Sequence, residues 1–202
     1  MNNHRVTKYS AFTLIELLVS TTIILLLILA AAPSFDKVQS KNRIRGGAEI
    51  LQNCVSRAKS LALAPETNSS NLVSYLAILY DVTDPTKPNQ CEVYEKTSGT
   101  PPILTLVDTY KLSNSVRISH FIVNGATLAQ STYTFEFENQ NHGLATRVLD
   151  PSGNPDPNNE MTAFSVQDEK LNCQQLKFFY ETGEILLEKL GIMNSSGLCI
   201  GS

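Results

Sequence analysis

A single acidic residue interrupts the longest apolar stretch of this 202-residue chain. Residues 12–32 read FTLIELLVSTTIILLLILAAA, and Glu16 is the one charged residue among them. A carboxylate near the start of an apolar helix costs roughly 2–3 kcal/mol or more in a membrane, so such a residue usually serves a function and has a partner. We therefore expect Glu16 to act through an interaction rather than to be incidental.

Cysteines are the second set of residues that could do chemistry. The four are Cys54, Cys91, Cys173 and Cys199. None forms a CxxC pair, which argues against zinc binding and against thioredoxin-type chemistry. All four follow the apolar run, and oxidation is expected if that part of the chain is exported. Four cysteines allow three pairings, and free buried thiols are the alternative.

Residues for catalysis or cofactor binding are sparse. The three histidines, His4, His120 and His142, have no spaced carboxylate or cysteine that would suggest a triad or a metal cluster. No glycine-rich phosphate loop is present. The acidic segment 150–160 lacks the spacing of an EF-hand loop and reads as a solvated loop. We expect no enzyme activity, no cofactor and no metal.

The N-terminal third of the chain reads as one long helix, from about residue 12 to residue 64. Residues 1–11 form a basic leader with Arg5 and Lys8. Residues 12–35 form an apolar stem that is long enough to cross a bilayer once, with the leader on the cytoplasmic side and the rest exported. A cleaved secretory signal peptide and a plain membrane anchor are alternative interpretations.

Residues 36–65 form the amphipathic half of this helix. Pro33 is expected to kink the helix, and Pro65 to end it. One apolar stripe recurs at spacings of four and three residues, and its members are Ile44, Ala48, Leu51, Val55, Ala58 and Ala62. Basic residues lie mostly off the stripe. They suggest a solvated face or contacts between subunits, with a phosphate-binding patch as the alternative.

The remaining residues, 66–202, predict an exported head rich in β-strands. Short segments of β-branched and aromatic residues recur, and Tyr133, Phe135 and Phe137 alternate with polar residues. We predict strands over residues 72–82, 91–96, 103–112, 116–123, 133–138, 144–149, 162–166, 176–180 and 184–189. The fold class is therefore α+β, with the long helix covering part of a mostly antiparallel β head.

The segment from Ala11 to Val19 resembles the signature of type IV prepilins and type II secretion pseudopilins. That signature has a short basic leader, a Gly, a Phe, and a Glu four residues after the Phe. The resemblance implies cleavage by a prepilin peptidase between Ala11 and Phe12, followed by methylation of the new amino group on Phe12. It also implies that the apolar stem becomes the core of a helical filament. Ala11 stands where the family usually has Gly, which puts the efficiency of cleavage in question.

The resemblance also gives Glu16 a partner. Its carboxylate would pair with the Phe12 amine of a neighbouring subunit in the dry filament core, and would thereby fix the register between subunits. Other pilin or pseudopilin subunits, the prepilin peptidase, the inner-membrane assembly machinery and membrane lipid are the implied partners. The implied location is the bacterial inner membrane, with the head on the periplasmic or extracellular side, and then a pilus or pseudopilus.

Finer features point to a subgroup. The stretch beginning Asn42-Arg43-Ile44-Arg45 and ending near Ala62 looks like the GspH/FimT group of minor pilins. In many pilins a disulfide closes a C-terminal loop, which implies a bond between Cys173 and Cys199. Cys54 and Cys91 would then tie the helix to the sheet.

Two other functions compete with that of a structural subunit. A minor pilin that captures DNA would share the assembly chemistry. However, the net charge is −3, and loss of Arg5 and Lys8 with the leader would make it more negative, which opposes binding to a polyanion. A membrane-anchored exported binding protein that never polymerises would require the bond between Ala11 and Phe12 to stay uncut.

Overall fold

The computed structural model describes residues 13–63, 72–123, 126–128, 132–140, 143–149, 161–179 and 181–201. Side chains of residues 30–34 lie outside this description, as do a few at strand ends. The chain divides into two compact units, Met1–Gln39 and Ser40–Ser202. The first unit contains the N-terminal part of helix α1, and the second contains the rest of α1 and all the strands.

Helix α1 spans Leu14–Leu63, within two residues of the predicted bounds. It continues through residue 33, so Pro33 does not end it. A bend of the axis at Pro33 stays a prediction.

The strands of the structure are β1 Leu72–Tyr80, β2 Gln90–Thr97, β3 Ile103–Lys111, β4 Val116–Val123, β5 Ala126–Leu128, β6 Thr132–Gln140, β7 Gly143–Leu149, β8 Met161–Asp168, β9 Asn172–Phe179, β10 Glu184–Met193 and β11 Cys199–Gly201. All nine predicted strands are present, most of them within two residues of the predicted bounds, but β9 begins four residues before its predicted start and β10 ends four residues after its predicted end. The two shortest, β5 and β11, were not predicted, because three residues are too few to show an alternating pattern.

Two antiparallel sheets form the head. One has the strand order β3-β2-β1-β6-β7, and the other has the order β11-β10-β9-β8-β4-β5. The core contains Phe121, Phe135, Phe137 and Phe164, all fully buried. Phe135 also packs against Phe178, with 4.6 Å between the ring centroids. The predicted α+β fold, a long N-terminal helix on a mostly antiparallel head, is therefore confirmed.

The rear part of α1 packs into this head through the predicted stripe, all of which is buried. Gly47 allows α1 to lie close against β4, because a Cβ at that position would lie 2.8 Å from Val116 Cγ1 on that strand. Glycine weakens a helix in general, but at this position it makes room for the sheet.

The head has two ends along the direction of α1. At the end where the chain enters it, which we call the entry end, Asn172 Nδ2 lies 3.1 Å from Ser40 Oγ. At the other, which we call the distal end, Lys59 Nζ lies 3.7 Å from Glu184 Oε1 beside the turn 181–183. Nineteen helical residues from Ser40 to Lys59 correspond to about 28 Å. The eight residues of β9 run alongside for about 24 Å.

Candidate functional site

Thr13 starts α1 as its N-cap. The backbone N–H of Glu16 donates to Thr13 Oγ1 at 3.3 Å, and the N–H groups of Glu16 and Leu17 lie 3.1 and 3.2 Å from the Thr13 carbonyl oxygen. A side-chain oxygen at this position satisfies one of the free donors in the first helical turn. The sequence analysis missed Thr13, although the Thr-x-x-Glu spacing of a capping box could have revealed it.

Glu16 lies in the first turn of α1. A negative charge there interacts favourably with the positive end of the helix dipole. It makes no ion pair with any residue that the structure describes. Ala11 and Phe12, the predicted cleavage and methylation residues, lie outside the described part of the chain.

The surface around Glu16 is apolar on every side of the helix. Its large side chains are between 51% and 81% exposed, and they are Leu14, Ile15, Leu17, Leu18, Val19, Ile23, Ile24, Leu25, Leu26, Leu27, Ile28 and Leu29. A contiguous apolar surface of this extent marks a site of contact with protein or membrane.

The other polar side chains in this stretch are satisfied within the helix. Ser20 Oγ donates to the Glu16 carbonyl oxygen at 2.7 Å, and the hydroxyls of Thr21 and Thr22 donate to the Leu18 carbonyl oxygen at 3.0 and 2.7 Å. Such bonds let hydroxyl groups enter an apolar environment without losing a partner. Glu16 is thus the one side chain of residues 14–29 with polar atoms that lack a partner among the described residues.

The sequence predicts a membrane-spanning stem at this place. Within the ranges that the structure describes, no helix combines the length and the apolar character needed to cross a membrane.

Both predicted disulfides are present. Cys54 is bonded to Cys91, and Cys173 is bonded to Cys199, with Cα–Cα distances of 6.3 and 5.8 Å. No cysteine is free, so the alternative of buried thiols is wrong for this structure. The first bond fastens α1 to β2, and the second fastens the C-terminal strand β11 to β9.

His120 lies on β4 and is covered by the C-terminal turn, since a Cβ on Gly197 would lie 2.7 Å from its Cδ2. Burial lowers the pKa of His120, and Arg117 lowers it further, against an opposing effect of Asp81. Its Nδ1 and the neighbouring Ser165 Oγ are buried without a hydrogen-bond partner in the described part of the chain. His4, His142 and the acidic segment 150–160 lie outside the described residues.

Several of the basic residues on the rear half of α1 are engaged in ion pairs. Arg45 pairs with Glu49 on the same helix at 3.1 Å, and Arg57 pairs with Asp108 on β3 at 3.1 Å. Lys41 and Arg43 are exposed and make no ion pair with a described residue. The basic face is therefore divided between internal pairs and exposed cations, among them Lys41 and Arg43, that make no ion pair with a described residue.

A comparison with protein families identifies the N-terminal part of the chain. The model of the prokaryotic N-terminal methylation motif matches residues 7–32. No curated protein and no solved structure matches the chain. The matched segment contains Ala11, Phe12 and Glu16 at the spacing that the sequence analysis identified. The chain therefore carries the prokaryotic N-terminal methylation motif, which is the signature of type IV prepilins.

Proposed function

We propose that this protein is a minor pilin or pseudopilin, a structural and assembly subunit of a type IV pilus or a type II secretion filament. A prepilin peptidase would cut between Ala11 and Phe12, and the new amine on Phe12 would be methylated. The observation that carries the proposal is the state of Glu16. Among the described residues 14–29, a stretch of α1 that is apolar on every side, it is the one polar side chain without a partner.

Assembly would explain why the Glu16 carboxylate has no partner among the described residues of its own chain. When apolar helices pack side by side, their exposed side chains are removed from water, at about 25 cal/mol per Å² of apolar surface. Glu16 is buried in the same step and requires a cation. The Phe12 amine of a neighbouring chain supplies one, and a stagger that separates the two groups leaves a buried charge unpaired. The ion pair thus selects one register among the many that would bury the apolar side chains.

Before assembly, the apolar run 12–32 would hold the chain in the inner membrane. Arg5 and Lys8 would keep the leader on the cytoplasmic side, where the peptidase cuts. Two disulfides in the head support export to an oxidising compartment. The assembly machinery of the inner membrane and other pilin subunits are the proposed partners, and the proposed role is structural rather than enzymatic.

The test is the mass of the N-terminal peptide of the full chain, isolated from cells with and without a prepilin peptidase. We expect a peptide that begins at methylated Phe12 only when the peptidase is present. A chain that still begins at Met1 in both strains would contradict the proposal. It would leave the anchored, non-polymerising binding protein as the better interpretation.

A further inference from the structure

A histidine on the outer face of the six-stranded sheet lies against the C-terminal turn of the chain. His120 on β4 pairs with Ser165 on β8, and the next pair along these strands is Phe121 with Phe164. Both phenylalanines are fully buried in the core. Because successive side chains of a strand point to opposite faces, His120 and Ser165 lie on the face that is turned away from the core, which we call the outer face.

The C-terminal turn, residues 194–198, is closed by its own hydrogen bonds. The backbone N–H of Asn194 donates to the Leu198 carbonyl oxygen at 2.9 Å, and Asn194 Oδ1 accepts from the backbone N–H groups of Ser196 and Leu198 at 3.0 and 2.8 Å. Gly197 has a φ of 75°, a conformation that glycine adopts without a steric penalty. These bonds hold the turn in one shape, independently of the sheet beneath it.

The turn is fastened at its base by a covalent bond and packs at its tip on an aromatic ring. At the base, Cys199 is bonded to Cys173 on β9. At the tip, a Cβ on Gly197 would lie 2.7, 2.8 and 3.1 Å from Cδ2, Nε2 and Cγ of His120. Only a residue without a side chain lets the backbone lie this close to the ring.

The His120 ring has no acceptor for a second N–H in this position. Its Nδ1 is buried without a hydrogen-bond partner among the described residues, and the same holds for Ser165 Oγ beside it. A neutral imidazole carries one N–H, whereas the imidazolium carries one on each nitrogen. Protonation beneath the turn therefore creates a buried, charged donor without a described partner, which is costly.

The charges around the ring do not offset this cost. Burial is the largest effect on the pKa of His120 and lowers it, Asp81 after β1 acts in the opposite direction, and Arg117 on β4 lowers that pKa further. Asp81 Oδ1 is already engaged, since it accepts from the backbone N–H and the hydroxyl of Thr83, both at 2.7 Å. Residues 194–198 themselves contain no titratable side chain. The packed turn thus favours the neutral ring.

We propose that the turn 194–198 is an acid-sensitive strap, whose tip leaves the outer face when His120 is protonated while the bond between Cys173 and Cys199 keeps its base attached. Release opens Nδ1 to water, which supplies the missing acceptor. The released state then binds the proton more tightly than the packed state does, so the contact is strongest above about pH 6.5 and weakens as the pH falls below it. The proposal goes beyond the proposed function and does not depend on it.

Hydrogen–deuterium exchange of the full chain in detergent, without reductant, tests the proposal. Exchange of peptides that cover residues 194–201 is compared at about pH 7.5 and about pH 4.5, after correction for the intrinsic pH dependence of amide exchange. We expect the protection of the strap to fall about tenfold at the lower pH, as the cost of an unpaired buried donor implies. Peptides from β4 and β8 should keep their protection, which distinguishes release of the strap from unfolding of the head.

Substitutions separate protonation of this ring from other effects of acid. His120→Phe keeps a ring beneath Gly197 that cannot be protonated, so the strap should stay protected at both pH values. His142→Phe is the matched control, because it removes the other histidine of residues 66–202, and it should behave like the parent chain. Equal protection of the parent strap at both pH values, or the same loss in His120→Phe as in the parent chain, would overturn the proposal.

A direct titration covers the case in which phenylalanine does not fit and the strap of His120→Phe is unprotected at both pH values. NMR of the parent chain with ¹³C-labelled histidine gives the pH at which His120 is protonated, and the His142→Phe spectrum separates the two histidine signals of residues 66–202. Loss of strap protection should follow the His120 titration. A loss centred at a different pH would overturn the proposal.

Discussion

Ser40 donates a buried hydrogen bond to Asp168 across 128 positions of sequence. Ser40 is the first residue of the head, and Asp168 ends β8. The same carboxylate accepts hydrogen bonds from the backbone N–H groups of Lys170 and Asn172, both at 2.9 Å. One buried acid therefore fixes both the entry of α1 and the turn between β8 and β9.

The first prediction concerns this acid. Burial raises the pKa of Asp168, but hydrogen bonds from Ser40 and Asn172 outweigh burial and hold that pKa below its ordinary value. The folded state thus binds fewer protons than the unfolded state between the two pKa values. Ionised Asp168 therefore contributes to stability at a pH above the ordinary pKa of Asp, and this contribution is lost as the pH falls through the lowered pKa. Asp168→Asn should remove this dependence and cost about 1–3 kcal/mol near neutral pH.

Urea unfolding of the full chain in detergent, at about pH 7 and about pH 3, measures the effect. Glu181→Gln is the control, because Glu181 is exposed. If Asp168→Asn and the parent chain lose the same stability on acidification, Asp168 is not a source of the pH dependence.

The second prediction separates processing from assembly. Glu16→Gln should leave cleavage before Phe12 intact but reduce incorporation into filaments more than tenfold, since an unpaired buried charge costs about 3–5 kcal/mol. The fraction of chain in sheared filaments, compared with the fraction in membranes, measures this. Glu49→Gln is the matched control, because Glu49 lies on the same helix and pairs only with Arg45 among the described residues. Normal incorporation of Glu16→Gln would remove the register role.

The third prediction concerns the residue before the cleavage point. Ala11→Gly introduces the residue that the family usually has at this position and should speed cleavage. Ala11→Leu should stop cleavage, because its side chain is too large for a peptidase site that usually receives Gly. A pulse-chase comparison of precursor and mature chain measures the rates. Equal rates for the parent chain, the glycine variant and the leucine variant would show that this residue is not recognised by size.

The fourth prediction concerns the disulfides. The Cys54–Cys91 and Cys173–Cys199 bonds close segments with sequence separations of 37 and 26 residues. Loop-closure entropy therefore predicts a similar loss, about 3–4 kcal/mol, when either pair is replaced by alanine. Urea unfolding of the two double variants in detergent measures it. A count of free thiols on the unreduced, unfolded parent chain should give none, and any free thiol would contradict the pairing.

Local patterns in the sequence predicted local structure well. The spacing of Ile44, Leu51 and Val55 predicted the buried face of α1, and the alternation at Tyr133, Phe135 and Phe137 predicted β6. The pairing of the cysteines followed from the resemblance to pilins and not from spacing. The bond between Ser40 and Asp168 could not be predicted, because it depends on how distant segments meet in three dimensions.

The bond between Cys54 and Cys91 has a mechanical consequence. In the filament that we propose, tension would pull on each subunit through the N-terminal part of α1 and would reach the head along the helix. At Cys54 a covalent link transfers the load to β2, which lies inside the five-stranded sheet. The helix can therefore be peeled from the head only as far as residue 54 without breaking a covalent bond. The segment between Cys54 and Cys91 would not be stretched, because the load would pass through the disulfide instead.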